Sequence, residues 1–163
     1  MEEPGDGDER SVLLGWLAFH RAALEAKCAG LSAADLVTAS SPPSTLTLLG
    51  LVRHLTEMER VYGVTAVGPD GTLTFVYGDY VDGGPEWDFD VDESMVAESF
   101  ANWRREQQAV DSLLQQHQSL DDAGPRNRRT VRWNIQKLVG EYARHNGHAD
   151  LLRERIDGVT GES

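Results

Sequence analysis

One periodic stripe constrains this chain more than any other feature. From Val131 the core-facing positions run Val131, Ile135, Leu138, Tyr142, His145, Ala149, Leu152 and Ile156, in steps that alternate between four and three. That is the period of a helix with one face against a core. His145 holds a slot that packing alone would give to leucine. Glu141 lies one turn before it, and the i, i+4 spacing puts both side chains on one face. A buried carboxylate beside a buried imidazole is costly unless something compensates both. A divalent cation is the simplest compensator, and an ordinary Glu–His pair is the bland alternative.

The rest of the chain supplies partners for that helix. A first helix is predicted from about Asp8 to Cys28, with Leu13, Leu17, His20 and Leu24 on one face, Trp16 and Phe19 beside them, and Gly30 as its stop. Leu31 to Leu36 reads as a short helical turn, and Ser40-Ser41-Pro42-Pro43 as a break. A second helix follows Pro43, capped by Ser44 or Thr45, and runs to about Thr65. Its stripe is Thr47, Leu51, His54, Met58 and Val61, so His54 faces inward as well. The third begins near Asp90 or Asp92, with Glu93 three residues after Asp90 as in a capping box, and ends near His117. Val96, Phe100, Trp103, Val110 and Leu114 form its core face. Thr130 caps the fourth helix, which runs to about Ile156 ahead of Gly158.

Residues 63–91 separate the second and third helices. Within them Pro69-Asp70-Gly71-Thr72 marks a turn, Leu73 to Tyr77 reads as a strand, and Gly83-Gly84-Pro85 breaks the chain again. A connection this long is usually a functional cover or a crossover. Four helices with one long connection predict an all-α four-helix bundle, a single domain over residues 1–163 behind a short acidic tail at residues 1–8.

Charge and composition exclude several roles. A net charge of −12 repels phosphate backbones and anionic membranes, so neither nucleic acid nor a membrane is expected as partner. No apolar run approaches the roughly 20 residues of a membrane span. The first ten residues lack the basic-then-apolar character of a signal peptide. Cys28 is the sole cysteine, which forbids an intrachain disulfide and suits a reducing, cytoplasmic home. It also lacks the basic setting that would make it a nucleophile. No P-loop, dinucleotide fingerprint or nucleophile elbow is present.

The chemistry therefore rests on His54, Glu141 and His145. Two imidazoles and one carboxylate from facing helices make a metal set that leaves at least one position open, as in a catalytic site. Zinc suits these ligands, with nickel or iron as alternatives. His148, three residues after His145, is a candidate to hydrogen-bond a ligand or to be a fourth one, with a polar residue at the bundle rim as the alternative. Arg53 and Arg144 adjoin ligands in sequence and are candidates to orient an anionic substrate. His20 and His117 read as packed or exposed residues.

Leu51-Val52-Arg53-His54-Leu55, together with the run from Glu141-Tyr142-Ala143-Arg144-His145 to Arg153, resembles the DinB-like superfamily. Within it the chain is most similar to the actinobacterial group related to mycothiol-dependent enzymes, the maleylpyruvate isomerase N-terminal-domain-like proteins. The resemblance implies an up-up-down-down four-helix bundle holding a divalent metal on three ligands. His54 matches the ligand of the second helix and His145 the second ligand of the fourth. Glu141 stands where many members place histidine, a substitution shared with the maleylpyruvate isomerase-like members. His148 falls where many members place glutamine. Lys137 replaces a histidine often found one turn before the first fourth-helix ligand; a lysine there either pairs with Glu141 and competes with the metal or points outward. The extra C-terminal domain of the maleylpyruvate isomerase-like proteins has no counterpart here, so substrate contacts are expected from residues 63–91 or a second subunit.

The implied activity is a metal-dependent thiol S-transferase or isomerase of the mycothiol type, acting on a small electrophile with a low-molecular-weight thiol as co-substrate. A metal-dependent hydrolase and a non-catalytic, metal-stabilised interaction bundle are the alternatives. A homodimer is a further expectation, since bundles of this kind leave apolar helix faces that pair.

Overall fold

The computed structural model describes residues 3–78, 89–125 and 128–161. Helix α1, Glu9–Cys28, begins where the Asp8 carboxylate accepts the Ser11 N–H. A Ser32–Asp35 capping box opens the short helix α2, Ala33–Leu36. Helix α3, Leu48–Met58, starts later than expected, because Thr47 and not Ser44 or Thr45 is its cap. The Ser44 hydroxyl is already engaged by the Leu46 N–H in a local turn, which leaves Thr47 to accept from Gly50.

The second predicted helix then changes pitch. Glu59–Thr65 is π-helical, so the apolar register slips after Met58: Gly63, Thr65, Ala66 and Val67 are buried while Val61 is only partly so. Gly63 permits this, since a Cβ there would collide with Val110 of the neighbouring helix.

The strand expected at residues 73–77 does not form. The amides of Val76 and Tyr77 donate instead to the Glu57 carboxylate, at 2.8 to 3.0 Å, so a buried side chain does the work of a partner strand. Among the described residues the only β pairing is an isolated bridge between Ala123 and Thr130. The Gly83-Gly84-Pro85 break lies outside the described residues.

Asp92 is the start signal of the third helix, accepting the Ser94 N–H at a 3₁₀ turn over Glu93–Met95, so the Asp90–Glu93 box is not used. Helix α4 follows over Val96–Gln116. Helix α5, Val131–Asp157, is capped by Thr130 through the Trp133 N–H and closed by Gly158 at φ 79°. No described helix is long and apolar enough to cross a membrane.

Side-chain pairs fix the relative directions. Arg132 meets Glu9, and Arg153 meets the Lys27 carbonyl, so α1 and α5 run parallel. Arg53 reaches Ser99 and Arg60 reaches Glu106, so α3 and α4 also run parallel. Glu59 meets Tyr142 while His54 meets His145, which sets α3 antiparallel to α5. In chain order α1, α3, α4 and α5 therefore run up, down, down and up, where the resemblance implied up, up, down, down. The connection from α3 to α4 must return the full length of the bundle, which is why it is long.

The centre is apolar with one polar core of its own. Trp103, Leu17, Leu24, Leu51, Leu55, Ile135 and Leu138 are fully buried, each stabilising the fold by roughly 1.5–3 kcal/mol. Among them the Glu59 carboxylate accepts two hydrogen bonds from Arg21 at 2.7 Å and one from the Tyr142 hydroxyl at 2.7 Å. Trp103 Nε1–H donates to the Tyr142 oxygen at 2.7 Å, and Arg21 also reaches Asp111 at 2.8 Å. Burial opposes the Arg21 charge but Glu59 more than restores it, and burial with the Glu59 charge holds Tyr142 neutral.

Candidate metal centre

The eight stripe positions of α5 face inward as the periodicity requires, Ile156 only partly; His145 is one of them, and Glu141, one turn before it, is buried beside the stripe. His54 comes from α3 across the antiparallel interface. Its ring centroid lies 4.6 Å from that of His145, at 64°. His54, Glu141 and His145 each offer one ligand atom such that all three lie within 4.8 Å of one another. These are the three residues that sequence spacing selected.

The electrostatics suit a cation. Burial, reinforced by His54 and His148, pushes the His145 imidazole down to about 4 against the pull of Glu141. The ring is therefore neutral at pH 7 and keeps a lone pair to donate. Burial works against the Glu141 charge too, but Lys137 outweighs it, with Arg144 and His145 adding to the effect. The carboxyl sits below its ordinary range and is ionised. Two nitrogen donors and one carboxylate oxygen converging at this separation fit a borderline divalent ion such as zinc, with a position left over.

Neighbouring side chains orient the three. His145 Nε2 faces Glu141 Oε2 at 3.6 Å, while its Nδ1 lies 3.3 Å from Nδ1 of His148. The tautomer that keeps the Nε2 lone pair free for a ligand is the one in which His145 Nδ1–H donates to His148. His148 touches His145 but stands outside the convergent group. Phe89 stacks on His54, with centroids 5.3 Å apart at 23°. Lys137 pairs with the Oε1 of Glu141, as the i, i+4 spacing allows, and its ammonium lies 5.6 Å from the Tyr62 ring centroid.

The remaining candidates are placed as follows. Arg53 is buried, its guanidinium 3.7 Å above the Tyr77 ring and its Nη1 donating to Ser99. With Glu57 it holds residues 76–77 against α3. Arg144 is exposed, one turn after Glu141 on α5. His20 is half-buried, its carbonyl accepting from Asn146 at 3.0 Å, and burial keeps its ring below the ordinary range. His117 lies 2.9 Å from the Val67 carbonyl and 3.2 Å from Asp122. Cys28 is buried, and that burial pushes its thiol up to about 12, so it is no nucleophile. A groove of about 670 Å³ between α1 and α4, lined by Leu14, Arg21, Asp111 and Leu114 among others, shares no residue with the histidine cluster.

Sequence reasoning missed Arg21, Glu59, Glu106 and Phe89. Arg21 and Glu106 were legible by the rule that exposed His145. Arg21 lies in the row Leu17, Arg21, Leu24, Cys28, and Glu106 lies between Trp103 and Val110, both at helical spacing. Phe89 carried no periodic signal, because it belongs to the connection.

A family model described as Mycothiol-S-transferase matches residues 12–158, nearly the whole bundle. No curated protein and no solved structure matches the chain.

Proposed function

The chain belongs to the mycothiol S-transferase family, and from that premise we propose that it joins the sulfur of a low-molecular-weight thiol to a small electrophile at a divalent metal held by His54, Glu141 and His145. The observation that carries this reading is the convergence of those three ligand atoms within 4.8 Å in a member of a thiol-transferase family. A divalent ion at that point, zinc by ligand preference, would favour the anionic form of a thiol at neutral pH.

The chain's own residues supply the rest. His145 offers a neutral nitrogen lone pair, His54 a second imidazole nitrogen, and Glu141 the negative charge that offsets a cation. His148 fixes the tautomer of His145. Phe89 covers one face of His54 and keeps water off it. Lys137 takes one oxygen of Glu141 and leaves the other toward His145, and it puts a positive charge at the rim, where an anionic group would arrive. Arg53 anchors residues 76–77, and Arg144 is the exposed cation next to His145 that an anionic electrophile would meet.

Metal titration of the wild type beside His54→Ala, Glu141→Ala and His145→Ala, with thiol-dependent turnover in parallel, tests the reading. Each variant is expected to lose bound metal and turnover together. Equal metal content and activity in all four proteins would sink it. Turnover that persists without thiol would assign hydrolysis instead.

The Lys137–Glu141 pair favours one second reading. Lys137 already balances the Glu141 charge without a metal, and on that reading the chain is a bundle that binds partners and does no chemistry. Purified protein that neither contains nor takes up zinc or nickel would support that view.

A further inference from the structure

A continuous line of contacts leads from solvent to the proposed ligands. Trp133 is 41% exposed, one of few large apolar residues left open. Its ring meets that of Tyr62 edge to face, with centroids 6.3 Å apart at 62°. Tyr62 meets the Lys137 ammonium, Lys137 meets Glu141, and Glu141 meets His145. Arg129 lies over the indole at 5.0 Å. Trp133, Lys137, Glu141 and His145 are spaced i, i+4 along α5, from an exposed indole through a partly buried ammonium to a buried carboxylate and imidazole. The π-helical turn brings Tyr62 to this row from the facing helix.

An exposed tryptophan beside a tyrosine, with cations at both ends, is a poor surface for a soluble bundle and a good one for a polyhydroxylated ring. Such rings pack their C–H faces on an aromatic face while their hydroxyls reach polar neighbours, here the tyrosine hydroxyl, guanidinium and ammonium. Trp133 stands eight positions before Glu141, roughly 12 Å along the axis at about 1.5 Å per residue. Mycothiol carries its cysteinyl thiol on an amino sugar joined to a cyclitol. A molecule of that form, with sulfur at the metal centre, would reach back along the row with its rings. We propose that Trp133 and Tyr62 form the platform for the sugar portion of the thiol co-substrate, so that binding energy remote from sulfur selects this thiol over plain cysteine derivatives. The inference rests on the metal-centre reading given above.

Calorimetric titration of the zinc-loaded wild type, Trp133→Phe and Trp133→Ala with mycothiol and with N-acetylcysteine tests it. The wild type should bind mycothiol about tenfold or more tightly than N-acetylcysteine, a preference of the size one aromatic contact supplies. Trp133→Ala should reduce that preference to near parity, Trp133→Phe should keep most of it, and metal content and N-acetylcysteine affinity should not change. An undiminished preference in Trp133→Ala overturns the platform and leaves the metal centre standing. Equal weakening of both thiols overturns it in favour of a structural role. Unchanged thiol binding with a raised KM for the electrophile assigns Trp133 to the other substrate, and overturns it too. Failure of the wild type to bind either thiol removes both readings together.

Discussion

Lys137 holds one oxygen of Glu141 across a single turn of α5, while the other oxygen of the same carboxylate faces His145 Nε2 at 3.6 Å. The carboxylate thus stands between a cation that is part of the chain and a place where a second cation would sit. Two positive charges about 4–5 Å apart repel by several kcal/mol at the effective dielectric near a protein surface, so the ammonium sets how strongly that place attracts a metal.

Removing the ammonium should therefore tighten metal binding. Lys137→Met is expected to raise zinc affinity by about tenfold, and Glu141→Gln to abolish tight binding. Competition against a chromophoric chelator measures both. Unchanged affinity in Lys137→Met would show that the lysine turns away when metal binds.

The Arg21–Glu59 pair is buried on both sides and bonded twice at 2.7 Å. Breaking such a pair leaves a charge without compensation, so Glu59→Gln and Arg21→Met should each lose about 3–5 kcal/mol of stability. Urea unfolding would record this, and the double variant should lose less than the sum. Tyr142→Phe, which removes one donor to Glu59 and the acceptor of Trp103, should cost about 1–3 kcal/mol.

Cys28 should be silent in the folded protein. Burial raises its thiol from 9.0 to about 12, so it stays protonated at pH 8, and labelling with a disulfide reagent should wait for unfolding. The sign for stability follows. The unfolded thiol ionises first, so the contribution is fully present below 9 and is lost as pH rises toward 12. Rapid labelling of the native protein at pH 8 would contradict this.

Glu57 replaces a missing strand for Val76 and Tyr77. Glu57→Ala should speed hydrogen exchange at those two amides by about tenfold or more while leaving amides inside α5 protected. Uniform loss of protection across the bundle would mean that Glu57 supports the whole fold.

Helical periodicity carried the sequence reading a long way, because a buried face must repeat every 3.6 residues whatever it packs against. It located α1, α3, α4 and α5, exposed His145 and His54 as polar residues in apolar slots, and put Glu141 one turn before His145 on the same face. It failed where local signals compete. The β-rich run at residues 73–77 had strand composition but no strand to pair with. The caps at Ser44 and Asp90 obeyed sequence rules that Thr47 and Asp92 satisfied better.

By itself, then, the sequence determined the element order, the inward faces and the identity of the three candidate ligands, since these depend on spacing along one chain. Only the tertiary structure decided which helices are neighbours and in what sense they run. That arrangement brings His54 within reach of Glu141 and His145, turns Glu59 into the core at a π-helical turn, and lays Tyr62 between Trp133 and Lys137. Contacts between helices depend on crossing and register, which are set when side chains from different segments fill one volume. No periodicity within a single segment records them.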